Sequence, residues 1–184
     1  MHICGEVKGK RLKDTMVNRG LLFVTMAAGT VALQGQVTLS GEAQQAYTNI
    51  KNNILKAADK MPEEDYSFKP VPEIRTFGAL VAHIADSQTR LCNGVMGKTK
   101  AATAGTKTAK ADIVAALKDS FADCDSAFEG LTEANGKEVV KLGPREFTHF
   151  GALMRGVIHD NEEYGYMAVY LRLKSVVPPS SEGR

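Results

Sequence analysis

His159 and Glu163 stand four residues apart in "IHDNEEYGYMAVYLRLKSVVPP". In a helix that spacing puts both side chains on one face, about one turn apart. An imidazole and a carboxylate so placed can grip one small divalent cation, by the logic of the paired histidines in helical metalloprotease motifs. A third donor must come from another element. The chain has four histidines, His2, His83, His149 and His159. His2 lies in the N-terminal segment, and His149 sits about 15 Å along the helix axis from His159. That leaves His83, in the middle of a second helical segment. Two imidazoles and one carboxylate leave positions open for water or substrate, which suits catalysis rather than a closed structural site. The donor types fit zinc, nickel, iron(II) or manganese. The same spacing also serves as a plain helical pair worth about 0.2–0.5 kcal/mol, so spacing alone leaves both readings open.

Helices must carry these residues. Four segments have helical period, with no convincing strand alternation against them. The first runs from Ser40, a candidate cap, to Lys60, with Tyr47, Ile50, Ile54, Ala57 and Met61 on one stripe. Prolines at 62, 70 and 72 make the following stretch a loop. The second starts at Thr76 and ends near Met96, with Phe77, Leu80, Val81, Ile84, Leu91 and Val95 as its stripe. "GKTKAATAGTKTAK" reads as a polar, mobile linker. The third runs from about Ala109 to Leu131, on Ile113, Leu117, Phe121, Cys124 and Phe128. "KEVVKL" suits a short extended piece without an obvious partner. The fourth runs from Thr148 to Lys174, and its apolar residues, Ile158 among them, cover more than one stripe, so it is expected to be well buried. "VVPPSSEGR" is expected to trail as a tail. Four helices of about 20 residues predict an all-α four-helix bundle. The long 1–2 and 3–4 connections leave its winding order open.

The chain is 184 residues long, enough for one domain with or without an appendage. Its 43% apolar and 24% charged residues are those of a soluble globular protein rather than a disordered one. Residues 1–36 carry five basic and two acidic side chains, so without them the formal charge falls from +2 to −1. A near-neutral body gives no reason to expect nucleic acid as a partner. The basic flank leads into "LLFVTMAAGTVAL" and then "QGQ", the pattern of a secretory signal peptide. The apolar run is too short to cross a bilayer, which takes about 20 residues. We therefore expect 1–36 to be a signal peptide or disordered extension, and 37–184 the bundle domain. No stable membrane insertion is expected after signal removal. The protein is expected to be exported or periplasmic where the signal is used and cytoplasmic otherwise, and Met16 offers a more usual start than Met1. A buried N-terminal helix is the alternative. Cys4 would leave with the signal. Cys92 and Cys124 read first as small core side chains, and in an oxidising compartment as a disulfide.

"LVAHIADSQ" (80–88) and "HDNEEYGYMAVYLRLKSVVPP" (159–179) resemble the two signature regions of the DinB-like (damage-inducible, YfiT-like) family. The likeness runs from about residue 40 and is strongest in the second motif. It implies a four-helix bundle with a divalent metal held by a histidine of the second helix and a His-x-x-x-His pair of the last. Residue by residue, His83 and His159 take ligand positions. Glu163 stands where the family pattern most often has histidine, and a carboxylate there gives the site a harder character or abolishes it. Some family members are metal-dependent transferases that use a low-molecular-weight thiol. The resemblance thus implies a transferase or hydrolase acting on a small-molecule substrate. The alternative is a non-catalytic exported metal-binding or stress-related bundle, with a homodimer as one expected arrangement. No catalytic base stands at a spacing that assigns it. Around the motif, Asp160 and Glu162 are expected to face away from His159, solvated or paired with basic residues. Asp86 and Arg90 are expected to form an exposed salt bridge or to orient an imidazole. Tyr164, Tyr166 and Tyr170 are expected to be packing residues.

Overall fold

The computed structural model describes residues 37–183, and the expected signal segment with His2 and Cys4 lies outside them. Four helices carry the fold: α1 (Leu39–Lys60), α2 (Phe77–Val95), α3 (Lys110–Glu129) and α4 (His149–Leu173). Three begin at a threonine whose hydroxyl takes up a first-turn amide. Thr76 accepts from Ala79 and Thr148 from Gly151. In α1 the cap is Thr38, which accepts from Gly41, rather than Ser40. Ser40 lies two residues too late, already inside the helix, and gives its own amide to Glu133.

The winding order follows from who touches whom. α2 packs on α3 and α4, and α1 on α4 and α3, so α1 and α2 sit on one diagonal. Tyr47 reaches the Phe121 carbonyl while Lys110 reaches the Met61 carbonyl, so α1 and α3 are antiparallel. Gly78 faces Ile113 and Cys92 joins Cys124, so α2 and α3 are parallel. Val95 faces His149 and Gln88 faces Asp160, so α2 and α4 are antiparallel.

A parallel α2–α3 pair forces the chain to travel back along the bundle, about 28 Å for a helix of this length. Residues 96–109 make that return. Their linker is tied down rather than free: the Asp86 carboxylate accepts from the amides of Ala104 (2.7 Å) and Gly105 (3.0 Å), halfway along α2. Asp86 therefore neither pairs with a cation nor touches an imidazole.

The α3–α4 connection contains a two-stranded antiparallel hairpin, β1 (Val139–Leu142) and β2 (Arg145–Thr148). The partner that "KEVVKL" seemed to lack is "REFT", six residues on. Gly143 turns between them at φ 62°, which the missing Cβ permits.

The core is one cluster from all four helices. Tyr47 stacks on Phe128 at 4.0 Å and gives its hydroxyl proton to the Phe121 carbonyl and Asp125. Where α2 meets α4, Gly156 has no Cβ; one there would sit 2.5 Å from Leu91 Cδ2. The C-terminal stretch does not trail away. α4 ends with Val176 donating to Leu171 and Ser175 to Arg172, Ser175 being left-handed at φ 59°. That turn sends residues 176–182 back onto the bundle, where Pro178 and Pro179 are buried, Ser180 donates to the Tyr164 hydroxyl and Lys60 pairs with Glu182. α4 is also less enclosed than its composition suggests. Ile158 is 65% exposed, and Val169 and Leu173 more than half, because the last turns and one face meet no other helix. Among the described residues no helix is long and apolar enough to cross a membrane.

Cys92 and Cys124 are bonded rather than a pair of free core thiols. Both face the α2–α3 seam, with Cα atoms 5.0 Å apart, within ordinary disulfide range. Opening this crosslink by Cys92→Ala/Cys124→Ala is expected to lower unfolding free energy by about 3–4 kcal/mol, from the entropy of a loop spanning roughly 33 residues. Urea unfolding of the variant and the parent, followed by circular dichroism, checks it.

Candidate metal centre

The α2–α4 contact sets His83 against His159 and Glu163. His83 lies on α2 among buried Val81, Ala82, Ile84 and Ala85. One turn separates His159 and Glu163 on α4. The three sequence-predicted residues converge. His83 Nε2 is 3.2 Å from His159 Nε2, and Glu163 Oε1 is 3.3 Å from the first and 3.4 Å from the second. They are a group able to hold a metal ion.

The triangle can be tested against coordination chemistry. An ion about 2.05 Å from three atoms on edges near 3.3 Å subtends donor angles of about 107°, close to tetrahedral. The Nε2 atoms of two imidazoles and a carboxylate oxygen face one point, where a divalent cation would be shared by all three. Glu163 is buried, and its second oxygen has no hydrogen-bond partner. The imidazoles are about 30% exposed, so the outer side of the triangle is open. The donor set therefore fits a divalent ion.

A second layer stands behind His159. Asp160, fully buried, places Oδ1 3.7 Å from His159 Nδ1 and accepts a hydrogen bond from the buried Gln88 amide on its other oxygen. This corrects the expectation that Asp160 is solvated and turned away. Facing Nδ1 with a carboxylate favours the tautomer that keeps the proton there and leaves Nε2 free as a donor. The Asp160 carboxylate, then Glu163, raises the His159 pKa against the effect of burial. The His83 pKa is lowered, first by burial and then by the Arg75 charge. Burial raises Asp160. Glu162 is exposed as expected and meets the Tyr166 hydroxyl.

Sequence reasoning passed over Asp160 and Gln88, although the signal was present. Asp160 continues the buried stripe Leu153, Val157, Tyr164, Met167 and Leu171, and Gln88 the stripe of Val81, Ile84 and Val95. A polar residue on a core stripe must find a partner inside. Beside Glu163 a cleft of about 560 Å³ opens, bounded by Arg75, Leu80, Tyr166 and Tyr170. The Tyr170 hydroxyl donates to the Arg75 carbonyl at 2.6 Å, which steadies the rim. Tyr164 and Tyr170 pack as expected, whereas Tyr166 is half-exposed and faces the cleft.

Bundle, winding order and a two-imidazole, one-carboxylate group together define a helical bundle with a candidate metal site. Residues 46–167 match the DinB superfamily, and the chain belongs to it. A DinB-like protein from Bacillus cereus ATCC 10987 is 20% identical at TM-score 0.66, over 76% of this chain and 95% of that one. A DinB-like protein, YjoA, from Bacillus subtilis is 20% identical at TM-score 0.58, over 73% and 92%. A mutant of the mycothiol-dependent maleylpyruvate isomerase is 15% identical at TM-score 0.56, over 68% of this chain and 62% of that one. At these identities the likeness is one of fold. No curated protein sequence matches.

Protein purified without an affinity tag is expected to carry one divalent ion per chain by elemental analysis. His159→Ala is expected to abolish it, and Asp160→Asn to weaken metal affinity about 10–100-fold while leaving the ligands in place. Competition with a chromogenic chelator reads the second effect.

Proposed function

We propose that the protein is an exported metal-dependent enzyme acting on a small molecule, with His83, His159 and Glu163 as ligands and thiol transfer as the reaction, hydrolysis being the neighbouring possibility. The observation that carries this reading is the triangle itself: three donors at 3.2–3.4 Å, open on one side and adjoining a cleft of about 560 Å³. A divalent ion bound there supplies Lewis acidity that lowers the pKa of a thiol or water next to it.

The chain's own residues divide the remaining work. Gln88 anchors the Asp160 carboxylate 3.7 Å from the His159 ring, where it favours the Nδ1–H tautomer. Arg75 gives the cleft a cation suited to a carboxylate-bearing thiol. Tyr166 and Leu80 supply apolar wall. In the transfer, the thiol S–H bond breaks, the sulfur bonds to an electrophilic carbon, and the leaving group departs with its electron pair. The proton goes to solvent. The fold-level likeness to a mycothiol-dependent isomerase supports a thiol as co-substrate, by analogy of fold only.

The Cys92–Cys124 bridge and the N-terminal signal pattern support an oxidising compartment. Full-length protein expressed with its N-terminus is expected outside the cytoplasm, shortened by roughly the first 36 residues; N-terminal sequencing of the recovered protein reads this. Metal-loaded protein, offered small thiols with an activated aryl halide and separately an activated ester, is expected to turn over one of the two. His159→Ala and Glu163→Gln are expected to lower kcat/KM at least about 100-fold, or roughly 2.7 kcal/mol. A metal-replete protein that turns over neither is a binding bundle instead.

A further inference from the structure

Two to four turns along α2 from Leu80, toward the helix C-terminus, the hairpin borders an open groove of about 530 Å³ beside the α2–α4 seam. Four cations from three elements border it: Arg90 of α2, Lys141 and Arg145 of the hairpin, and Arg155 of α4. Among the described residues no carboxylate comes within 4.0 Å of any of them. Glu146, opposite Lys141 across the hairpin, is included in that statement. Since the chain beyond residue 36 is net −1, this is a local concentration of positive charge, not a general surplus.

The groove is built rather than incidental. Its floor is apolar, from half-buried Leu91, Leu142 and Phe147. The Arg155 guanidinium lies 5.1 Å over the Phe147 ring, which holds it in place without neutralising it. The hairpin can seat so close because residue 94 is glycine: a Cβ there would stand 2.8 Å from Leu142 Cδ2. A smaller recess of about 170 Å³ shares Ser87, Leu91 and Arg155 with the groove and ends on His159 and Asp160.

We propose that this groove is a binding site for a small polyanion, a molecule with an apolar body and two or three carboxylate or phosphate groups. An apolar floor with a few convergent charges, at this volume, is the make-up of a small-molecule site. Three guanidiniums favour planar, bidentate anions. A nucleic acid fits less well, because the cations ring one groove instead of being laid along a face, and the body is near neutral. The inference does not depend on the metal reading, since no groove cation is a ligand.

The test uses the full chain and a rigid probe, benzene-1,3,5-tricarboxylate, with benzoate as the singly charged comparison, by isothermal titration calorimetry. Saturable one-site binding is expected, at least about tenfold tighter than benzoate, a difference of about 1.4 kcal/mol. Arg145→Gln/Arg155→Gln is expected to weaken it at least tenfold, and Lys141→Gln less. Lys56→Gln/Lys69→Gln, which removes the same charge elsewhere, should leave it within twofold, as should His159→Ala. Unchanged circular dichroism keeps the groove variants interpretable. Absence of saturable binding, equal binding by the Arg145/Arg155 variant, or loss in His159→Ala alone overturns the proposal. So does an oligonucleotide that binds more tightly than the tricarboxylate and loses affinity in the same variants.

Discussion

Everything at the candidate site depends on α2 lying antiparallel against α4. The closeness of that contact rests on a missing side chain: at Gly156, Leu91 occupies the space a Cβ would need. Were α1 and α2 adjacent, as in the simplest winding, His83 could not reach His159 and Glu163. The diagonal placement of α1 and α2 therefore carries functional weight, and the connections are long because the winding requires it. The return from α2 to α3 runs the length of a helix, and Asp86 fixes it midway. The hairpin occupies the α3–α4 connection and contributes two of the four groove cations.

Two of the interior polar residues, Gln88 and Asp160, link the α2–α3 seam to the candidate site. Gln88 lies on the same face of α2 as Cys92, with its carbonyl oxygen 2.9 Å from the Cys124 sulfur, while its amide meets Asp160. Asp160 in turn faces His159. A covalent seam between α2 and α3 and a donor ring on α4 are thus two side chains apart. Each buried polar atom in this series is costly alone and acceptable when partnered. Of the carboxylate oxygens without a hydrogen-bond partner, the one on Glu163 belongs to a donor of the triangle and the one on Asp160 stands behind the His159 ring.

Much of this was legible from residue types. Helix positions followed from apolar period and from threonines at Thr76 and Thr148, and the ligand candidates from mid-helix histidines with a carboxylate one turn away. What escaped has identifiable physical causes. Thr38 was passed over because Ser40 offers an equally good hydroxyl two residues later. The β2 strand "REFT" is too short and too charged to show alternation, and only the glycine before Pro144 marks the turn. Asp160 was read by charge instead of by its place on a core stripe. The bridge was underweighted because two cysteines 32 apart say nothing of proximity until α2 and α3 are known to run parallel. The C-terminal stretch looked like a tail because left-handed Ser175, which reverses the chain, is not the glycine usually found there.

That reversal has a consequence for how the molecule comes apart. Residues 176–182 cover the end of α1 and tie to Tyr164, next in sequence to Glu163. Fraying from the C-terminus would first release the Ser180 amide from Tyr164 and the Lys60 ammonium from Val177 and Glu182, loosening the outer end of α4 while α2 and α3 stayed sewn together. Proteolysis that nicks this strap should consequently strip α4 before any other helix, and with it two of the three donors.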